Sequence, residues 1–249
     1  MSARRSARSE IPDPYDHPDG VDCVYIRSSI SGDDEMYDVR CSCSSDSPCV
    51  DDSCPCVAVS STNYSDGKLI KAKLTESNSS VFECSANCAC ESCQNSLTQK
   101  GPSKCLRIVH LGPKGYGVLA DDDIAEGSYV CEYAGEILAD GSSTADWRYV
   151  VTLNETTSDG RQTATFIDAS RFGNVGRYLN HSCSPNCALV PVRYEQVAPK
   201  VGIFAIRDVR RGEEVCYSYG AGAPSSTPCL CGSATCRLFL PAGGFAKND

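Results

Sequence analysis

Cysteine spacing is the first feature of this sequence that indicates chemistry. The chain holds 18 cysteines in 249 residues, and eight of them form Cys-x-Cys pairs. Two cysteines this close are poorly placed to form a disulfide with each other, but both thiolates can reach one metal ion. We therefore interpret the pairs as zinc ligands kept reduced in a cytosol or nucleus. The pairs are Cys41/Cys43, Cys54/Cys56, Cys88/Cys90 and Cys229/Cys231.

Nine cysteines are concentrated between residues 41 and 93. Nine thiolates cannot be divided into whole four-thiolate sites. Three zinc ions with four ligands each need twelve ligand places, and nine thiolates fill them if six are terminal and three bridge two metals. The count predicts a trinuclear zinc cluster. Its ligands would be Cys41, Cys43, Cys49, Cys54, Cys56, Cys84, Cys88, Cys90 and Cys93.

A smaller cysteine group lies near the end of the chain, at Cys229, Cys231 and Cys236. Three thiolates leave one position of a tetrahedral zinc site open. No fourth cysteine lies nearby in the sequence, so the fourth ligand is expected to come from elsewhere.

The elements that position these residues are predicted to be mainly strands. Between residues 105 and about 222, short β-rich runs alternate with turn residues such as Gly112-Pro113 and Arg211-Gly212. The predicted strands cover 106–110, 117–120, 129–131, 149–153, 165–167 and 201–205. One short helix is expected at 139–147. This pattern predicts small curved sheets and not a doubly wound nucleotide-binding fold.

The ends and linking segments are expected to be irregular. Residues 1–20 hold three arginines and three prolines with few apolar residues, which predicts a disordered arm. The Ser- and Asn-rich segment 60–80 is expected to be a surface loop. The first ten residues lack the apolar core of a secretory signal, and no apolar run is long enough to span a membrane, so neither secretion nor a membrane span is expected.

Net charge narrows the choice of partner. The formal net charge is −9, with 22% charged residues. A negative surface attracts a lysine- and arginine-rich peptide and repels duplex DNA. We therefore expect a basic protein substrate and no direct binding to nucleic acid.

Two stretches closely resemble the paired signatures of the SET-domain protein lysine methyltransferases: Arg177-Tyr-Leu-Asn-His-Ser-Cys-Ser-Pro-Asn186 and Gly212-Glu-Glu-Val-Cys-Tyr-Ser-Tyr-Gly220. Lys114-Gly-Tyr-Gly117 and Glu132-Tyr-Ala-Gly-Glu136 also match motifs of that family. The resemblance covers residues 41 to about 240. It is greatest with the suppressor-of-variegation group, and within it with the short Metnase-like enzymes.

The resemblance implies a mainly β SET fold, with small curved sheets and a knot-like crossing, flanked by a zinc-cluster pre-SET region and a zinc-binding post-SET region. It divides the chain into an arm at 1–20, a pre-SET region at 21–104, a SET domain at 105–222 and a post-SET region at 223–249. Cys183 is implied as the missing fourth ligand of the C-terminal zinc, which gives four zinc ions per chain. The five leftover cysteines, Cys23, Cys105, Cys131, Cys187 and Cys216, are expected to be plain thiols.

The resemblance also implies the cofactor, S-adenosylmethionine, and the residues that hold it. Tyr219 matches the family's catalytic tyrosine, and Tyr149 and Tyr217 match aromatic positions along the lysine channel. A tyrosine at Tyr217 is expected to limit the product to mono- and dimethyl-lysine. The implied cofactor-binding residues are Lys114, Gly115, Tyr116, Gly117, Tyr149, Arg177, Tyr178, Asn180 and His181.

The resemblance implies a nuclear, chromosomal enzyme that acts on the histone H3 tail, with lysine 9 as the expected target. Methylation of lysine 36 or of a non-histone lysine is an alternative, as is a zinc-scaffolded binding module that has lost catalysis. Three positions depart from the family pattern: Ser96 where the pre-SET region usually ends in arginine, Ser218 for the usual aspartate, and Leu238 for the usual glycine. A decayed module would be expected to lose Tyr219, Asn180 or His181, and all three are present.

Overall fold

The computed structural model describes residues 15–18, 22–32, 35–36, 39–44, 49–75, 80–90, 93–102, 105–138, 147–156, 160–241 and 245–246. Strands provide most of the regular structure in these ranges, so the expectation of a mainly β fold is confirmed. Among the same residues, no helix has both the length and the apolar character needed to cross a membrane.

The strands are short, and most have two to seven residues. They are β1 (Val24–Tyr25), β2 (Ile30–Ser31), β3 (Tyr64–Ser65), β4 (Lys68–Leu69), β5 (Val81–Phe82), β6 (Leu106–His110), β7 (Tyr116–Ala120), β8 (Tyr129–Tyr133), β9 (Glu136–Leu138), β10 (Val150–Thr156), β11 (Gln162–Asp168), β12 (Phe172–Gly173), β13 (Asn180–His181), β14 (Cys187–Arg193), β15 (Lys200–Ala205), β16 (Glu214–Tyr217), β17 (Pro224–Pro228), β18 (Phe239–Pro241) and β19 (Phe245–Ala246). The α-helices are α1 (Pro55–Ala58) and α2 (Lys71–Thr75). The 3₁₀ turns are Thr98–Lys100, Gly112–Lys114, Trp147–Tyr149 and Val175–Tyr178.

The sheet in the order β13-β16-β7-β6 positions the candidate site. β6 and β7 form an antiparallel hairpin, and Gly115 closes the turn between them with a φ of +77°, a conformation that favours glycine. β16 pairs with β7, and β13 pairs in parallel with β16, so that His181 lies opposite Tyr217. The two family signatures, which are distant in the sequence, therefore lie side by side next to the glycine turn.

Two other sheets enclose the core beside this one. The first has the order β5-β14-β15-β8, and every residue of β15 is buried. The second has the order β19-β10-β11-β9-β2, in which β10 and β11 pair antiparallel along their whole length. Apolar residues of these strands, including Leu153, Ile167 and Ile203, are almost fully buried in one cluster. Burial of this apolar surface is the main stabilising contribution to the fold.

The N-terminal part of the chain is joined to the sheets by strand pairing and by a buried carboxylate. β1 pairs with β12, and β2 pairs with β9. Glu132 is 8% exposed and accepts hydrogen bonds from the Ser28 hydroxyl at 2.8 Å and the Ser29 backbone N–H at 2.7 Å. Because a buried carboxylate without donors is costly, these two bonds hold residues 28–29 against β8.

The segment 60–80 is only partly the surface loop that its composition predicts. It contains β3, β4 and α2, while residues 76–79 lie outside the described ranges. Asn63, Tyr64 and Leu69 are buried, and the Tyr64 hydroxyl donates to Glu83 at 2.6 Å. The polar composition obscured these anchors because they are few and most of the residues around them are polar.

Other sequence predictions had the right element with different bounds. The predicted strands all coincide with observed ones, but Tyr149 belongs to a 3₁₀ turn and not to β10. The sequence reading missed β14, which contains Pro191; this residue lies beyond the end of the pairing with β5, where no ladder hydrogen bond from its nitrogen is needed. Residues 139–146 of the predicted helix at 139–147 lie outside the described ranges. Residues 1–14 and 19–20 of the predicted arm at 1–20 also lie outside them.

Candidate active site and metal centres

A cavity of about 570 Å³ lies between the β6–β7 turn, the 3₁₀ turn Val175–Tyr178, the start of β10 and the chain after β16. Its volume suits a ligand of cofactor size. Its wall is formed by Lys114, Gly115, Tyr116, Trp147, Arg148, Tyr149, Val150, Val151, Arg177, Tyr178, Asn180, Leu189, Tyr217, Tyr219, Ser225, Thr227, Leu240 and Pro241.

Most of the residues predicted to bind a cofactor meet at this cavity. Lys114, Gly115, Tyr116, Tyr149, Arg177, Tyr178 and Asn180 all line it, together with Tyr217 and Tyr219. Gly117 lies against Asn180, and a Cβ atom at Gly117 would come within 2.8 Å of the Asn180 amide nitrogen. His181 is not in the wall; it lines a second cavity of about 470 Å³ beside Cys231. The individual roles of these residues stay predictions.

Glu214 joins three motif residues of the cavity. Its carboxylate accepts a hydrogen bond from the Asn180 Nδ2 at 2.9 Å and forms an ion pair with Lys114. The Asn180 Nδ2 also donates to the Tyr116 carbonyl at 3.1 Å. Both N–H groups of the amide are thus engaged, which leaves the Asn180 Oδ1 as the atom that can accept a hydrogen bond from a ligand.

Arg177 supplies a second cation to the wall. It is 8% exposed, and its guanidinium carbon lies 4.3 Å from the centre of the Tyr149 ring and 5.0 Å from that of Tyr178. Its Nε donates to the Ala169 carbonyl at 2.9 Å. Stacking between aromatic rings stabilises a partly desolvated cation, so this part of the cavity suits an anionic group such as a carboxylate.

Three tyrosines form the aromatic part of the cavity. The Tyr217 and Tyr219 rings have centres 5.0 Å apart, and Tyr133 positions Tyr149 by donating its hydroxyl to the Tyr149 carbonyl at 2.8 Å. The Tyr219 hydroxyl donates to the Leu179 carbonyl at 2.9 Å. Burial raises the pKa of Tyr219, and of Tyr217, well above the usual range of a tyrosine. Both phenols are therefore protonated at neutral pH.

The His181 ring is held between the aromatic wall and a cysteine. Its Nδ1 accepts a hydrogen bond from the Tyr219 backbone N–H at 3.0 Å, and its Nε2 lies 3.3 Å from the Cys183 Sγ. Burial lowers the pKa of the ring, and the nearby Arg237 lowers it further. The imidazole is therefore neutral at pH 7.

Four cysteines at the C-terminal end match a tetrahedral metal site. Each of their sulfur atoms lies within 4.8 Å of the others, and the Cys183 and Cys229 sulfurs are 3.9 Å apart. A zinc ion with Zn–S bonds of about 2.3 Å needs sulfur separations of about 3.8 Å. The Arg237 backbone N–H donates to the Cys183 sulfur at 3.3 Å, as is usual around metal-bound thiolates. The four ligands are Cys183, Cys229, Cys231 and Cys236.

The cysteines between residues 41 and 93 form three overlapping four-sulfur groups. Cys41 lies 3.8 Å from Cys49 and 3.7 Å from Cys84, again the separations of a zinc–thiolate tetrahedron. All 18 cysteines are free thiols. Cys43 adjoins the first group through a hydrogen bond with Cys54, and desolvation together with this bond raises the pKa of its thiol to about 11. The groups are Cys41-Cys49-Cys54-Cys84, Cys41-Cys56-Cys84-Cys88 and Cys49-Cys84-Cys90-Cys93.

Comparison with known proteins decides the family. A model of the SET domain family matches residues 115–220. The probable histone-lysine N-methyltransferase set-23 of Caenorhabditis elegans is 40% identical over 204 residues, and the match covers 76% of this chain and 82% of that protein. The chain belongs to the SET-domain histone-lysine N-methyltransferases. As an enzyme of this family it has the expected cysteine groups at both ends of the SET domain.

Solved structures agree with the family. The methyltransferase domain of human histone-lysine N-methyltransferase SETMAR superposes on this methyltransferase with a TM-score of 0.74 at 29% identity, covering 88% of this chain and 89% of that one. KRYPTONITE, solved in complex with DNA, a histone H3 peptide and SAH, has a TM-score of 0.73 at 28% identity, and the match covers 88% of this chain and 47% of that one.

Sequence reasoning missed Glu214 as a residue of this methyltransferase's site. The signal was available, because Glu214 belongs to the Gly212–Gly220 signature, but its contacts with Asn180 and Lys114 depend on strand pairing that only the structure gives. Leu189 and the C-terminal residues Leu240 and Pro241 were also missed, since isolated apolar residues carry no chemical signal.

Proposed function

We propose that the enzyme transfers one or two methyl groups from S-adenosylmethionine to lysine 9 of the histone H3 tail. The observation that carries the proposal is that one cavity joins a cationic wall, with Lys114 and Arg177, to the tyrosines Tyr149, Tyr217 and Tyr219. A solved relative with SAH and a histone H3 peptide bound supports the donor and the histone tail. The target lysine and the number of methyl groups rest on the resemblance to the suppressor-of-variegation group.

The residues of the cationic wall suit the amino-acid end of S-adenosylmethionine. Arg177 provides positive charge for a carboxylate, and Lys114, which is paired with Glu214, can add an ammonium N–H donor. The Asn180 Oδ1 can accept a hydrogen bond from an ammonium or amino group. Gly117 keeps the space beside Asn180 open, because a Cβ atom there would displace the amide. When bound, S-adenosylmethionine supplies a methyl group on an electrophilic sulfonium.

The aromatic wall would receive the lysine, which must lose a proton before it can attack. An unperturbed lysine has a pKa of about 10.4, and an apolar aromatic channel lowers that value because desolvation disfavours the ammonium. Tyr219 is poorly suited to act as the base, since burial raises its pKa and its hydroxyl already donates to Leu179. Its oxygen can instead accept contacts from the amine and the transferring methyl group. The lysine proton would leave to solvent.

Tyr217 is proposed to limit how many methyl groups are added. Its ring is 5% exposed and lies between the Tyr219 ring at 5.0 Å and the Tyr133 ring at 6.4 Å. A methylated lysine must rotate to present its lone pair to the next methyl group, and a hydroxyl at this position occupies the space that rotation needs. A barrier of about 1.4 kcal/mol slows a step about tenfold.

We propose four zinc ions per chain, one in the C-terminal site and three in the cluster. Cys41, Cys49 and Cys84 are assigned as the bridging ligands because each belongs to more than one four-sulfur group. Cys43 takes the place of Cys84 in the first group, so that Cys84 bridges only the second and third groups. The other six thiolates are then terminal, which fills the twelve places of three zinc ions. Elemental analysis of protein purified under reducing conditions should give about four zinc ions per chain. One zinc or none, or iron as the main metal, would contradict the assignment.

The expected partners follow from charge. A formal net charge of −9 favours a basic histone tail. The proposed nuclear, chromosomal location is supported by the relatives, which are named histone-lysine N-methyltransferases. Direct binding to nucleic acid is not expected; the DNA complex of KRYPTONITE involves a chain of which this one covers 47%. A gel-shift titration of duplex DNA at physiological salt should show no shift with micromolar protein, and a shift would overturn this expectation.

The target lysine can be tested with variant nucleosomal histones. Histone octamers carrying arginine at position 9 or at position 36 of histone H3 would be incubated with isotope-labelled S-adenosylmethionine and analysed by mass spectrometry. The proposal predicts mono- and dimethylation that is lost only with arginine at position 9. Loss only with arginine at position 36 would support the alternative target, and label that persists in both variants would exclude both.

A further inference from the structure

Both ring nitrogens of His181 are engaged inside the protein. The Tyr219 backbone N–H lies 3.0 Å from Nδ1, and the Cys183 Sγ lies 3.3 Å from Nε2. The ring is 7% exposed, and its centre is 5.3 Å from that of the Tyr219 ring. His181 therefore lies directly between the proposed catalytic tyrosine and a proposed zinc ligand.

The directions of the two hydrogen bonds are fixed by chemistry. A backbone N–H can only donate, so Nδ1 must accept and carries no proton. The single N–H of the neutral ring is then on Nε2, where it points to the Cys183 sulfur. The same sulfur accepts from the Arg237 backbone N–H at 3.3 Å, so two donors orient it. Donors of this kind around a ligand sulfur hold the ligand in place for the metal.

Tyr219 is held at two ends by this arrangement. Its hydroxyl is fixed on the Leu179 carbonyl, and its backbone is fixed on His181. The neighbouring backbone is held as well, because the Ser182 N–H donates to the Tyr217 carbonyl at 3.0 Å. A shift of the Cys183 sulfur would therefore be passed through the imidazole to the backbone of Tyr219.

We propose that His181 is a positioning residue that couples the C-terminal metal site to Tyr219, and not a residue that contacts the methyl donor. The proposal rests on the proposed function, in which Tyr219 is catalytic and Cys183 is a zinc ligand. It differs from the role that the family resemblance implies for His181. The position of the ring supports it, because His181 lines the second cavity, beside Cys231, and not the wall of the donor cavity.

Two substitutions separate the two hydrogen bonds. An asparagine amide reaches about as far as Nδ1 of histidine, and a glutamine amide about as far as Nε2. His181→Asn can thus keep the acceptor for the Tyr219 N–H and lose the donor to Cys183. His181→Gln can keep the donor to Cys183 and lose the acceptor for Tyr219. The pair is matched, since both replace the ring by an amide.

Three readouts would be measured on full-length, zinc-loaded protein: kcat and KM for a histone H3 peptide, the Kd of S-adenosylhomocysteine, and alkylation of the four C-terminal cysteines by iodoacetamide in the presence of a chelator, followed by mass spectrometry. His181→Asn should accelerate alkylation about tenfold, because losing a hydrogen-bond partner of a metal ligand usually lowers metal affinity by at least about tenfold. His181→Gln should lower kcat about tenfold while KM and the rate of alkylation stay within about threefold of wild type. The loss of kcat in His181→Asn should be the smaller of the two.

The outcomes distinguish the proposals from each other. A rise of more than about tenfold in the Kd of S-adenosylhomocysteine in both variants would overturn the coupling role and support a direct donor contact. Equal losses of kcat with unchanged alkylation would also overturn it. If wild-type protein transfers no methyl group, the proposed function fails, while the alkylation difference between the variants still tests the link from His181 to Cys183.

Discussion

Replacing Gly117 by alanine tests the donor side of the cavity. A Cβ atom at this position would lie 2.4 Å from the Leu111 Cδ1, 2.8 Å from the Asn180 Nδ2 and 3.1 Å from the Glu214 Oε1. The end of the Leu111 side chain can rotate away. The Asn180 amide cannot move without losing its bonds to the Tyr116 carbonyl and the Glu214 carboxylate.

The size of the effect follows from those two hydrogen bonds. A neutral hydrogen bond contributes about 1 kcal/mol and one to a charged group about 2 kcal/mol, so displacing the amide costs about 3 kcal/mol. Binding of the donor would have to return the displaced Asn180 amide to its place. The free energy needed for this is lost from donor binding, and each 1.4 kcal/mol raises the Kd about tenfold. Since Leu111 can relax and recover part of this energy, Gly117→Ala should weaken donor binding by about 10- to 100-fold.

The assay is isothermal titration calorimetry with S-adenosylhomocysteine. Gly32→Ala is the matched control, because a Cβ atom at Gly32 meets nothing within 4 Å and its φ is not in the left-handed region. The control should bind as tightly as wild type. If Gly117→Ala keeps its zinc and its melting temperature yet binds S-adenosylhomocysteine with an unchanged Kd, Asn180 does not hold the donor and this account of the wall is wrong.

Three further predictions concern the reaction. Tyr219→Phe should lower kcat at least about tenfold while the Kd of S-adenosylhomocysteine stays within about threefold, since the lost hydroxyl lies on the aromatic wall; a kcat within a factor of about two would remove Tyr219 from catalysis. Tyr217→Phe should keep the rate of the first methyl transfer within about tenfold of wild type and shift the products toward trimethyl-lysine, measured by mass spectrometry. A wild-type enzyme that already makes mainly trimethyl-lysine would contradict this prediction. When the chemical step limits the rate, kcat should rise from pH 7 to pH 9 because the substrate lysine must lose a proton. Over this range Tyr219 stays protonated, since burial raises its pKa, and His181 stays neutral, since burial lowers its pKa. A flat pH profile would argue against control by lysine deprotonation.

The metal groups could be predicted from the sequence because the spacing of cysteines limits which sulfurs can meet. Cys-x-Cys pairs place two thiols on one side of a short segment, and the count of nine cysteines by itself predicts that some of them bridge two metals. Which three sulfurs bridge could not be predicted, since Cys84 is brought to Cys41 only by the fold. Cys183 likewise could be assigned to the C-terminal group only from the family resemblance, because its spacing from Cys229 does not indicate a shared metal.

Only some of the contacts around the cavity could be predicted from the sequence. The glycines at Gly115 and Gly117 could be assigned to a close turn from the motif alone. Glu214 and the exact environment of His181 could not, because both depend on the parallel pairing of β13 with β16. Such nonlocal pairing leaves no periodic signal in the sequence.

The most direct test of the central claim is transfer of a labelled methyl group by zinc-loaded wild-type protein. The enzyme would be incubated with a histone H3 tail peptide and S-adenosylmethionine carrying a deuterated methyl group, with excess S-adenosylhomocysteine as the inhibited control, and the peptide would be sequenced by mass spectrometry. The account predicts one or two labelled methyl groups on a single lysine, and none when the inhibitor occupies the cavity. Protein that binds S-adenosylhomocysteine but leaves every lysine of the histone H3 tail unlabelled would contradict it.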